Sequence, residues 1–276
     1  MIRSALRHVR TAVGSQLRKF RATAVSAGAR IWGFYGADVR VVRTYRFRGL
    51  TFRIALSNAD EKGRWDLMVA GRKEPETIRW IDVEFRAGEV FVDVGACIGN
   101  YSLYAALRHK GLKVFAFEPE PNSLIQLVKN AQLNDLDITC FLLPLRERAG
   151  VDFLNIKDFF ASKSKHQFGR TAEWQLGGVA PAARIGLGSS SLDELVREKV
   201  IPVPNHAKID VDGLEVAIVH GMREVLRYSA LRTVLCEAGS EREAKEIEEL
   251  FSEAGFACAR RPPADRGNYI FKRRTR

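Results

Sequence analysis

Apolar residues along this chain follow two rhythms. Short runs rich in Val, Ile, Leu and Phe, bounded by Gly, Pro, Asn or Asp, predict strands at 90–94, 113–118, 137–143, 206–211 and 231–237. Between them, apolar residues recur at three- and four-residue steps and predict helices at about 99–109, 121–133, 214–227 and 241–254. Such alternation implies a mostly parallel sheet covered on both faces. The end of the chain differs. "FACARR" and "NYIFKRR" read as two short strands joined by "PPADRG", a connection suited to a hairpin rather than a helical crossover, so the sheet should close with an antiparallel strand.

Upstream, residues 39–56 alternate apolar and basic positions around Gly49, which predicts a β-hairpin, and "KEPETIRWIDVEF" predicts a helix with Pro75 near its start. In residues 1–35, Ile2, Leu6, Val9, Val13, Leu17 and Phe20 recur at helical steps beside Arg3, Arg7, Arg10, Arg18 and Arg21. Residues 156–189, rich in Gly, Ser and Lys with little periodicity, read as a long loop of the kind that serves a function or stays disordered.

Charge sharpens this division. The net charge is +11, and residues 1–53 hold twelve Lys or Arg against one acid, Asp38; residues 54–276 carry 32 of each sign and balance. The basic excess therefore belongs to the N-terminal extension, where it suits a helix packed on protein or lying on an anionic membrane surface, with an organelle presequence as the alternative. Cys97, Cys140, Cys236 and Cys258 form no Cys-x-x-Cys pair, which argues against zinc and disulfides and for a reducing, cytoplasmic compartment. No apolar run is long enough to span a bilayer.

The chemistry gathers at strand ends. "EVFVDVGACIGNYSLYAA" is a strand, a glycine turn and a helix, placed where open α/β sheets bind ligands. Asp93, Gly95 and Gly99 form D-x-G-x-x-x-G; Cys97 and Asn100 occupy the positions of the second and third glycines of a dinucleotide fingerprint, so a pyrophosphate is disfavoured. No G-K-[ST] follows. Glu118, 23 residues after Gly95, lies close to the spacing of an acid that accepts ribose hydroxyls. A nucleoside without pyrophosphate, such as S-adenosylmethionine, satisfies both observations.

The pieces "FVDVGACIGNYSLYAA", "FAFEPEPNSLIQLVKNAQLN", "SLDELV", "KIDVDGLEVAIVHGMREVL" and "VLCEAGS" resemble, in order, the motifs of the FkbM family of S-adenosylmethionine-dependent methyltransferases. The resemblance runs from about Glu74 to Ser240. Cys97 stands where the family usually has Asn, and Asp212 where it usually has Glu. The resemblance implies an α/β class I (Rossmann-like) methyltransferase: a seven-stranded, mostly parallel sheet with an antiparallel last strand, here at 89–276. Residues 1–35 would add a basic helix and 36–88 a hairpin and helix. It also implies O-methylation of a hydroxyl on a sugar, glycan or glycosylated natural product.

The candidate cofactor residues are Asp93, Gly95, Gly99, Asn100 and Glu118, each of which could instead serve the turn or the core. The candidate catalytic residues are Asp210 and Glu215 in "KIDVDGLE", although acids there also cap helices and complement helix dipoles. Asp210 and Asp212 lack a third ligand, so no metal is expected. His166 and His220 are further base candidates, His220 being equally a helix-face residue. Lys163, Lys165, Arg170 and Arg184 could receive an acidic substrate or simply face solvent. Two other readings remain: a nucleic-acid methyltransferase using the basic arm, against which the absence of an N/D-P-P-Y type motif counts, and a non-catalytic binding protein on the same fold.

Overall fold

The computed structural model describes residues 41–156, 167–169, 181–264 and 266–274. The basic extension 1–35, together with His166, Lys163, Lys165 and Arg170, lies outside the described residues. A hairpin opens the described chain, β1 (Val41–Phe47) and β2 (Leu50–Leu56), turning at Arg48 and Gly49. Both turn residues have positive φ, 49° and 80°, as a two-residue turn matched to strand twist requires. Two helices follow. The first, α1 (Ala59–Val69), was hidden in the sequence by its weak amphipathicity, yet its start is well made: Asn58 accepts from the Glu61 backbone, and Glu61 accepts from the Ser57 backbone at 2.6 Å. The second, α2 (Pro75–Glu84), is the helix expected after Pro75.

The main sheet is built from β3 (Val90–Val94), β4 (Lys113–Phe117), β5 (Ile138–Phe141), β9 (His206–Ile209), β10 (Thr233–Ala238), β11 (Phe256–Arg260) and β12 (Gly267–Arg273). Its order is β11-β12-β10-β9-β3-β4-β5. Pairs β9–β10, β3–β9, β3–β4 and β4–β5 are parallel, while β12 runs antiparallel to both β10 and β11. This is the mostly parallel sheet with a closing antiparallel hairpin that the pattern implied. Helices α3 (Asn100–Arg108), α4 (Pro121–Leu133), α6 (Glu215–His220) and α7 (Glu241–Glu253) connect the strands. The expected helix at 214–227 is broken: α6 stops at Gly221, and Val225–Arg227 is a separate 3-10 turn. A Cβ on Gly221 would lie 2.1 Å from the Arg146 carbonyl oxygen, so close packing on the loop after β5 fixes the break.

Alternation along the strands sends residues to two cores. Val92, Val94, Ala207, Ile209 and Val234 face one cluster, with α6, α7 and Leu192 and Leu195 of a short helix α5 (Leu192–Arg197). Phe91, Val114, Leu235 and Ile270 face the other, with the hairpin, α1, α2 and α3. The hairpin edge does not stay open. Asn134, just past α4, and Asn130 on it accept from the Arg53 and Ala55 backbone at 2.8 and 3.0 Å, so the unpaired strand groups are satisfied by side chains.

Part of the expected loop at 156–189 is instead sheet. Strands β6 (Gly150–Ile156), β7 (Gln167–Phe168) and β8 (Ala183–Ser189) form a small antiparallel sheet in the order β7-β6-β8. The β8 sequence "ARIGLGS" alternates, with Ile185 and Leu187 packing toward Leu154, Ile156 and Phe168. Gly186 and Gly188 on the opposite face lower the local strand propensity, and this masked the alternation.

Candidate active site

A cavity of about 290 Å³ opens beyond the carboxyl ends of β3, β4, β9 and β10. That lies near the lower end of the roughly 300–1,000 Å³ typical of small-molecule sites. Its floor is the glycine turn. Gly95 and Ala96 donate to the Phe117 carbonyl at 3.0 and 3.1 Å, stapling the turn to the end of β4. Gly95 has φ +80°, and a Cβ there would lie 1.9 Å from the Asp210 carbonyl oxygen. No other residue type fits without moving a strand.

Of the residues singled out in the sequence, Gly95, Glu118 and Asp210 line this cavity. The others do not. Gly99 has φ +89°, and its missing Cβ makes room for Leu103 and Leu127, which lets α3 and α4 pack together. Asn100 is buried against Met68 of α1, 3.6 Å from its sulfur. Asp93 is 1% exposed and accepts from the Ser102 hydroxyl at 2.5 Å. Glu215 braces the turn after β9, accepting from the Val211 and Gly213 backbone at 3.1 and 2.9 Å. His220 lies beside Glu246 at 3.6 Å on α6.

Glu118 is poised in a way the spacing could not reveal. It accepts from the Cys97 backbone on one oxygen and the Glu120 backbone on the other, both at 2.8 Å. Each oxygen keeps a lone pair for a further donor, which suits a vicinal diol. Burial pushes its carboxyl up to about 7, against the pull of the two backbone N–H groups. Cys97 sits at φ 52°, the left-handed region in which Asn is the favoured non-glycine residue. Burial raises its thiol to about 11, so it is held as a protonated, non-nucleophilic group.

Several functional candidates were missed. Lys208, in register with Asp93 across β3 and β9, is 1% exposed and donates to Asp210 at 2.6 Å. Burial opposes its charge, but the carboxylates of Asp210, Asp93 and Glu74 outweigh that and raise its pKa above the ordinary lysine value. Burial likewise favours a neutral Asp210, and Lys208 reverses it, holding the carboxyl below its usual range. Lys208 and Lys73 both lie over the Tyr101 ring, 5.1 and 5.7 Å from its centre. Lys73 also pairs with Glu74 at 2.5 Å. Finally, Glu237, next to last in β10, stands beside Asp210 and lines the cavity. The available signals were a lysine inside the apolar strand "HAKI" and an acid closing the apolar run "VLCE".

The lining has a marked charge bias. Glu74, Glu118, Glu120, Asp210, Asp212 and Glu237 face it, against Arg64 and Lys73. Such a surface repels phosphates and accommodates a cation bearing hydroxyls. S-adenosylmethionine has a sulfonium, an ammonium and a ribose diol, and the donor and acceptor set fits it.

The model of the FkbM methyltransferase domain matches residues 93–258. The chain belongs to that family. It is accordingly an S-adenosylmethionine-dependent methyltransferase. It is 27% identical over 183 residues to the hexuronic acid methyltransferase AglP of Haloferax volcanii, covering 66% of this chain and 70% of that protein. It is 51% identical over 49 residues to the 31-O-demethyl-FK506 methyltransferase FkbM of Streptomyces tacrolimicus, covering 18% of this chain and 19% of that one. Among solved structures, methyltransferase FkbM from Methylobacillus flagellatus superposes with a TM-score of 0.49 at 14% identity, over 79% of this chain and 56% of that chain.

Proposed function

We propose that this methyltransferase acts on a hydroxyl of a sugar, a glycan or a glycosylated natural product. The observation that carries the reading is the acid-lined cavity, with Gly95 closing its floor against Asp210 and Glu118 presenting two free lone pairs. The names of two relatives support the acceptor class, one a hexuronic acid methyltransferase and the other a methyltransferase named for a 31-O-demethyl compound.

In this reading Glu118 receives the ribose hydroxyls, and the Gly95 turn admits the methionine end. When bound, S-adenosylmethionine supplies an electrophilic methyl on a good leaving group. The protein's contribution is then alignment, exclusion of water and removal of one proton. Leu154 and Phe168 of the small sheet give the cavity an apolar wall, which helps exclude water from the reacting atoms. Asp93, Asn100 and Gly99 hold the turn and α3 in place from behind. Glu215 serves the same end by fixing the turn that carries Asp210 and Asp212.

Isothermal titration with S-adenosylmethionine tests the site. Binding in the unaltered protein and a loss of roughly tenfold or more in Glu118→Ala is expected, since hydrogen bonds to a charged acceptor contribute about 1.5–3 kcal/mol. Equal affinity in both would remove Glu118 from the ribose. The acceptor class is tested by mass spectrometry of surface glycans from a deletion strain, where one sugar should lack a single methyl group.

The basic residues 1–35 add a location to the proposal. They suit the anionic cytoplasmic face of a membrane, where a lipid-linked glycan would be at hand. No helix among the described residues is long and apolar enough to cross a membrane. Liposome flotation with and without residues 1–35 should separate the two proteins; equal partitioning would end this part of the reading.

A further inference from the structure

The carboxyl groups at the ends of β9 and β10 are not equivalent. Asp210 has a cation of its own, Lys208, at 2.6 Å. Glu74 has Lys73 at 2.5 Å. Cys236 on β10 is in register with Ile209 on β9, so the residues that follow them, Glu237 and Asp210, stand side by side and share a side-chain hydrogen bond, while no ion pair reaches Glu237 among the described residues. Two carboxyl groups in contact cannot share a hydrogen bond when both are ionised, so one must carry a proton. Both side chains face the same cavity.

We propose that Asp210 and Glu237 form a one-proton pair which releases its proton when a sulfonium charge enters the cavity, and recovers one from the acceptor hydroxyl as that charge is consumed. The proposal rests on the reading of the cavity as the S-adenosylmethionine site. It gives the protein a base that is created by the cofactor's own charge and withdrawn after each turnover.

The carboxylates of Asp210, just past β9, and Glu215 on α6 favour the acid form of Glu237, Lys208 on β9 opposes them, and neutral Asn268 lies opposite on β12. Burial first, and then the Asp210 charge and hydrogen bond, push the Glu237 carboxyl up to about 8. A positive charge added within a few ångströms in this partly buried setting favours the carboxylate enough to move such a group by one or more pH units. The ionised pair then stands ready beside the acceptor.

The balance closes. The acceptor O–H bond breaks and its proton passes to the pair; the oxygen lone pair forms the new bond to the methyl carbon; the electrons of the broken sulfur–carbon bond remain on sulfur. The positive charge on sulfur disappears as the pair loses its negative charge, so the cavity's net charge is unchanged by the step. Lys208, which keeps Asp210 ionised throughout, is a positioning residue for this pair.

Two measurements decide the matter. In ligand-free protein labelled with ¹³Cδ-glutamate, the Glu237 resonance, assigned by its loss in Glu237→Gln, should titrate near pH 8; a midpoint in the ordinary glutamate range overturns the proposal. Calorimetry in two buffers of different ionisation enthalpy should then show proton release, on the order of half a proton near pH 7.5, with S-adenosylmethionine but little with S-adenosylhomocysteine, which lacks the sulfonium charge. Glu237→Gln should bind both nucleosides with that difference abolished. Equal proton release for the two nucleosides in unaltered protein overturns the proposal while leaving the cofactor site standing, whereas failure of both to bind overturns the site and the proposal together. The two-nucleoside comparison needs no variant, so it decides the question even if Glu237→Gln fails to fold.

Discussion

Strand β9 carries a buried titratable group near each end, His206 at its start and Lys208 before its last residue, and the two ends behave differently. At its start His206 is stacked on Phe85, with ring centres 4.1 Å apart, and both its nitrogens have partners: Thr233 at 2.7 Å and Glu89 at 2.9 Å. Trp80 donates to the same Thr233 hydroxyl at 2.9 Å. Burial pushes the imidazole down to about 4 despite the Glu89 carboxylate. At the other end, Lys208 and Asp210 are just as perturbed, but Asp210 and Glu237 border a cavity, and among the described residues no ion pair reaches Glu237. A shifted pKa therefore does not identify the site by itself. What does is a polar cluster that is incomplete on its cavity side. His206 belongs to a closed structural cluster; Asp210 and Glu237 belong to an open one.

Removing the cation should break the open end first. Lys208→Met leaves Asp93 and Asp210 buried without compensation, and breaking such a pair from one side costs about 3–5 kcal/mol. Urea denaturation at neutral pH should show that loss, with weakened S-adenosylmethionine binding in whatever protein folds. A Lys208→Met protein as stable as the parent would place Lys208 among the ordinary solvated charges. The next largest effect is expected from Gly95→Ala, where a Cβ would meet the Asp210 carbonyl at 1.9 Å and φ is +80°. Strain of about 1–3 kcal/mol should appear in stability, together with a larger loss of cofactor binding, because the turn and Asp210 must separate. Gly99→Ala sharpens the comparison. Its clash is with Leu103 and Leu127, so stability should fall while affinity in the folded fraction changes less.

The main sheet was legible because its strands are buried on both faces and read as unbroken apolar runs, and because the last connection was too short for a crossover. The small sheet was not, since "ARIGLGS" places glycines where strand-forming side chains usually stand. At the site, D-x-G-x-x-x-G and Glu118 could be placed by spacing. Which acids reach the cavity could not. Asp93, Asp210 and Glu215 all follow or flank strand ends, but only packing tells that Asp93 lies behind the turn, that Glu215 is turned back onto backbone N–H groups and that Asp210 faces outward. Lys208 is visible as a lysine inside an apolar run, but a charge at that position has meaning only once its partners on β3 are known.

The smallest effect separates the closed His206 cluster from the acids around the cavity by sign. His206 is held neutral in the folded protein, about 4 against an ordinary 6.5, so its contribution to stability is present above 6.5 and is lost as pH falls toward 4. Glu118 and Glu215 are raised to about 7 from 4.5, so their contribution is present below 4.5 and is lost as pH rises through 7. Between pH 4.5 and 6.5 these slopes oppose one another, each bounded by about 1.4 kcal/mol per pH unit for one proton. Glu118 and Glu215, with Glu237 raised to about 8 on the same side, outnumber the one imidazole, so the parent protein should lose stability as pH rises across that window. Urea denaturation at several pH values should find that His206→Gln loses stability more steeply as pH rises, while Glu118→Gln flattens the slope. If His206→Gln leaves the slope unchanged, the closed end of β9 is not holding a neutral imidazole, and the distinction between the two ends fails at its simpler side.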